Sequence, residues 1–78
     1  MFTHGDIRER ALDAAYRLID GSQTGETTGD EIAAELGIAP ADTEGRMVLY
    51  HALFAAKDAG SIRCDFPGGM DLPFRVRR

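Results

Sequence analysis

Apolar residues recur along this chain in two rhythms, helical up to Gly60 and alternating beyond it. In DIRERALDAAYRLIDG, which starts at Asp6, the residues Ile7, Ala11, Ala14, Ala15, Leu18 and Ile19 share one broad side of a helical wheel, with Leu12 and Tyr16 at its edge. Asp6, Arg10, Asp13, Arg17 and Asp20 fall opposite, and the pairs Asp6/Arg10 and Asp13/Arg17 have the i,i+4 spacing that supports a helix. GSQTGETTG, from Gly21 to Gly29, has nothing apolar to bury and reads as a loop with at most a short extended stretch.

TGDEIAAELG predicts a second, shorter helix. Thr28 followed three residues later by Glu31 is a capping-box pattern, and Gly37 is suited to the left-handed conformation that ends a helix. Ile32, Ala33 and Leu36 form its apolar side. EGRMVLYHALFAAKDAG predicts a longer helix ending at Gly60 and beginning either near Ala41 or near Glu44. Val48, Leu49, Ala52, Leu53, Ala56 and Ala59 make its core face, while Met47, Tyr50 and Phe54 lie outside that face.

Past Gly60 the period becomes two. Ile62, Cys64 and Phe66 point one way and Arg63 and Asp65 the other; Leu72, Phe74 and Val76 then oppose Arg75 and Arg77. A hairpin turning at Pro67–Asp71 sets Phe66 opposite Leu72, Cys64 opposite Phe74, Ile62 opposite Val76 and Arg63 opposite Arg75. Pro73, which lacks a donor, suits an outer strand.

Composition changes the picture in three respects. The 78 residues make one domain, 1–78, whose small core leaves no room for an enclosed catalytic cavity, so an enzyme is not expected. A single cysteine, on the apolar side of a strand, excludes an internal disulfide and reads as packing; with no secretory leader and no long apolar run, the cytoplasm is the expected location. The glycine-rich loop lacks a phosphate-binding motif, His4 and His51 have no ligand pattern around them, and neither a cofactor nor a metal is expected.

The third respect is charge. The chain is −4 overall, but residues 1–45 hold ten acids against three arginines whereas residues 46–78 hold six basic residues against three acids. The division is −7 against +3, and it gives the final ribbon a cationic side.

This order of helix, loop, short helix, turn, longer helix and ribbon resembles a winged helix-turn-helix domain. TGDEIAAELGI is similar to the first helix and turn of that motif, and ALFAAKDAGSI to the end of its recognition helix and the step into a wing. The resemblance implies an α+β fold of three helices followed by a two-stranded β-hairpin wing, with a short stretch near Thr27 as an optional third strand. Between Gly37 and Gly60 lie 22 residues, more than is usual there, which enlarges the turn or extends the third helix.

Two functions fit. The first is a small DNA-binding transcriptional regulator acting as a homodimer. Thr43 and Arg46 would face bases, Tyr50 and Lys57 the sugar-phosphate edge, and Arg63, Arg75, Arg77 and Arg78 would make wing contacts. Its dimer would use the first helix or the stripe Met47, Tyr50 and Phe54. The second is a protein-interaction module or adaptor that never meets nucleic acid, since Asp42 and Glu44 at the head of the third helix disfavour phosphate. Convergence of Arg46, Lys57, Arg63, Arg75 and Arg77 on one face would favour the first.

Overall fold

Local chemistry decides where the helices begin and end. The computed structural model describes residues 4–65 and 74–78. Helix α1 (His4–Gly21) is followed by strand β1 (Glu26–Thr28), helices α2 (Gly29–Glu35) and α3 (Thr43–Asp58), and strands β2 (Arg63–Asp65) and β3 (Arg75–Arg77). Thr28 caps α2 by accepting from the Glu31 amide at 3.1 Å. The Glu31 carboxylate does not return to the cap, and instead takes a 2.8 Å bond from the Thr27 hydroxyl, so the box closes one residue early. Gly37, with φ 75°, ends α2: its amide bonds Ala34 O and the Ile38 amide bonds Ala33 O, the paired bonds that the left-handed residue makes possible.

Helix α3 begins at Thr43, beside Glu44, the later of the two expected points. Asp42 is its cap, accepting from the Gly45 amide at 2.9 Å, and residues 36–42 form the connection from α2. Replacing Thr28 with Ala removes the cap of a helix of only two turns, and should lower stability by about 0.5–2 kcal/mol, measured by urea denaturation. An unchanged midpoint would mean that tertiary contacts alone hold the start of α2.

The three helices surround one apolar interior. Ile7, Ala11, Ala14, Ala15 and Ile19 of α1 meet Ile32 and Ala33 of α2 and Leu49 and Leu53 of α3, and Ile62, Phe74 and Val76 close the remaining side. Small residues at 11, 14 and 15 let α1 lie close along α3. The sheet covers this interior with Thr27, Val76 and Cys64, leaving Glu26, Thr28, Arg63, Asp65, Arg75 and Arg77 on its outer face.

Three helices followed by a two-stranded wing is not the architecture found. Strand β1 lies between α1 and α2 and joins a three-stranded antiparallel sheet in the order β1-β3-β2. The last strand is therefore central, not outer; Pro73 itself, like Phe66, Leu72 and the expected turn at 67–71, lies outside the described residues.

The register also differs. Val76 pairs with Cys64, not Ile62, and Arg63 opposes Arg77, not Arg75, which meets Asp65. A slip of two residues leaves every side chain on its original face, so apolar alternation cannot distinguish the two pairings. The second partner of β3 decides: Val76 sits between Thr27 and Cys64 with no exposure at all.

Candidate nucleic-acid interface

The residues suggested for contact with DNA fall into separate groups. On the outer sheet face, Arg75 stands beside Glu26 at 3.5 Å and Arg77 beside Asp65 at 3.1 Å. Arg63 is directly opposite Arg77 and forms no ion pair among the described residues. These three arginines share a face because their positions alternate with Cys64 and Val76, which are turned inward.

Arg46 and Tyr50 form a second group, between α3 and the head of α2. Arg46 donates to Asp30 and, at 2.8 Å, to the Tyr50 hydroxyl, which in turn donates to Asp30 at 3.2 Å. The bond to Tyr50, with the Asp30 charge adding to it, holds the Arg46 guanidinium above its usual range against the opposing effect of burial. Tyr50 stacks edge-on against Phe74 with centroids 5.1 Å apart, and Phe54 is tilted against the same ring at 5.5 Å. Both aromatic residues of the suggested Met47, Tyr50 and Phe54 interface are thus half-buried around Phe74, while Met47 is 54% exposed on the solvent side of α3.

Arg78 belongs to a third group. Its guanidinium makes two bonds to Asp20, at 3.2 and 3.0 Å, and lies 4.2 Å over the Tyr16 ring. Tyr16 donates to Ser61 O at 2.9 Å, so this group ties α1 to the chain ends of both α3 and β3. Lys57 is exposed, 6.0 Å over the Phe54 ring, and Thr43 is exposed at the start of α3. Burial pushes the Cys64 thiol up, with Lys57 working against this and Asp65 with it, as suits a packing residue and not a nucleophile.

Reading the sequence missed the acids. Asp20, Glu26 and Asp30 belong to the acidic first half, and they hold Arg78, Arg75 and Arg46 of the basic second half. The only trace of this in the sequence is the charge division itself, which supplies acids in the first segment for cations in the second. Among the described residues no cluster of three His, Cys, Asp or Glu side chains is arranged to hold a metal ion, and no helix is long and apolar enough to cross a membrane. Comparisons with protein-family models, with curated proteins and with solved structures find no match.

Proposed function

We propose that this chain is a protein-interaction module of the cytoplasm, without catalytic activity and without base-reading contact to DNA. The observation that carries this reading is the outward stripe of α3, formed by Thr43, Glu44, Met47, His51, Ala55 and Asp58, all exposed. It holds two acids, a large apolar residue and neither lysine nor arginine. Arg46, the cation best located to read a base, is held on Asp30 and Tyr50. A phosphate backbone is repelled by such a stripe, whereas a protein surface with apolar and basic groups suits it.

The test is titration of a pool of random duplex DNA with the full chain, followed by fluorescence anisotropy over a salt series. The expected result is affinity weaker than about 10⁻⁴ M even at low salt, below ordinary non-specific binding. Tight, steeply salt-dependent binding would overturn the reading.

One arrangement favours the DNA alternative. Arg63 faces Arg77 across the ladder with Arg75 two residues away, and like charges directly opposed are destabilising unless an anion lies between them. The ion pairs on Arg75 and Arg77 are exposed, so a phosphate would displace their carboxylates at little cost. If the titration shows binding, changing Arg63 and Arg77 together to Ala should reduce the salt slope by about 2 across all sequences, and an unchanged slope would exclude the sheet face.

A further inference from the structure

We infer that the partner for the α3 stripe is a second copy of this chain, docked about a two-fold axis on the surface shared by α1 and α3. The inference rests on the protein-interaction reading and adds the identity of the partner. Arg8 of α1 and Glu44, Met47, Val48 and His51 of α3 line a shallow notch of about 190 Å³ on that surface.

Three features fit a copy of the same surface better than a foreign one. Met47, 54% exposed, stands at the edge of the notch, so one surface carries both a projecting apolar side chain and a recess to receive it. Methionine is unbranched and polarizable, which lets it fit an irregular recess. A two-fold operation puts each Met47 into the notch of the other protomer, and each contact is made twice.

The second feature is charge. The notch has one cation, Arg8, on α1 and one anion, Glu44, on α3. Arg8 forms no ion pair within its own chain among the described residues. A rim of both signs is complementary to itself: Arg8 of each protomer meets Glu44 of the other. A partner of one predominant sign would meet attraction at one end and repulsion at the other.

The third is shape. Met47, His51 and Ala55 are spaced four residues apart along α3, and Ala55 is small and exposed. Antiparallel crossing of the two α3 helices near Met47 and His51 seats each Met47 against the facing notch, with Ala55 leaving room to one side of the crossing, and sets each helix end beside the opposite end of its neighbour, the favourable arrangement of their dipoles.

The experiment is sedimentation equilibrium of the full chain up to about 1 mM, the weak limit of specific association. The wild type should form a reversible dimer. Met47→Lys should be monomeric throughout with an unchanged circular dichroism spectrum. Arg8→Glu and Glu44→Arg, each alone, should weaken the dimer by about tenfold or more, because both contacts become like-charged. An equimolar mixture of these two variants should dimerise as strongly as the wild type, since one chain then carries two acids at the rim and the other two bases.

A wild type that stays monomeric overturns the inference and leaves the interaction module with some other partner. A dimer indifferent to Met47→Lys, or a mixture that fails to recover, likewise overturns it. Binding in the DNA titration would instead remove the interaction reading on which it rests.

Discussion

Replacing Leu53 with Ala is expected to destabilise the protein by about 2–5 kcal/mol. Leu53 has no exposed surface and lies in the interior with Leu49, facing α1. A truncated side chain leaves a void that α1 can fill only by moving, and its small residues Ala11, Ala14 and Ala15 cannot lengthen into the gap. Total stability for a domain of this length is on the order of 4–12 kcal/mol, so one core deletion removes a large share of it.

Urea denaturation followed by circular dichroism reads the effect as a lower midpoint at unchanged slope. Met47→Ala, on the exposed side of the same helix, should shift stability by no more than about 0.5 kcal/mol. Equal losses for the two variants would contradict the assignment of the α3 core face.

Adding one methyl group at Gly29 is expected to destabilise by about 1–3 kcal/mol, although alanine is the better helix former. Gly29 opens α2 at the point where its amide reaches Phe74 O at 3.3 Å, so helix and strand backbones lie close together there. A Cβ at this position would fall 2.6 Å from the Phe74 ring and 3.0 Å from that of Tyr50. Phe74 is buried, and moving it breaks the edge-on contact with Tyr50 and strains the Asp30, Arg46 and Tyr50 hydrogen bonds.

Near-ultraviolet circular dichroism should report the displaced aromatic rings, and urea denaturation the lost stability. Gly21→Ala provides the contrast, since nothing lies within 4 Å of its Cβ and α1 already includes it. That variant should be neutral or stabilising by up to about 1 kcal/mol. If Gly29→Ala behaves like Gly21→Ala, the close approach of α2 to β3 is not a constraint on the fold.

The functional reading depends on where the charged groups went. Six cations in the second half of the chain suggested a face for phosphate, but three of them were taken by acids from the first half. Arg46 shows the point most clearly. Its position on α3 follows from a helical wheel, yet its partner Asp30 is on another helix and its neighbour Tyr50 is turned by the Phe74 ring. Candidate residues were therefore legible singly, while their grouping was not.

What the amino-acid sequence determined by itself was local: the amphipathic run of α1, the Thr28 cap and Gly37 stop of α2, and the core face of α3 at Leu49 and Leu53. These depend on residues within a few positions of one another, where a 3.6-residue period or a cap has one reading. The stretch near Thr27 was only an optional strand by resemblance, and tertiary structure alone decided that it pairs with β3, that β3 is central, and that Arg63 faces Arg77. A strand of three residues has too little pattern of its own to fix its partner, and a two-residue slip preserves every face. Only contact with Thr27 on one side and Cys64 on the other chooses the register of Val76, and that same choice distributes the arginines among their acids.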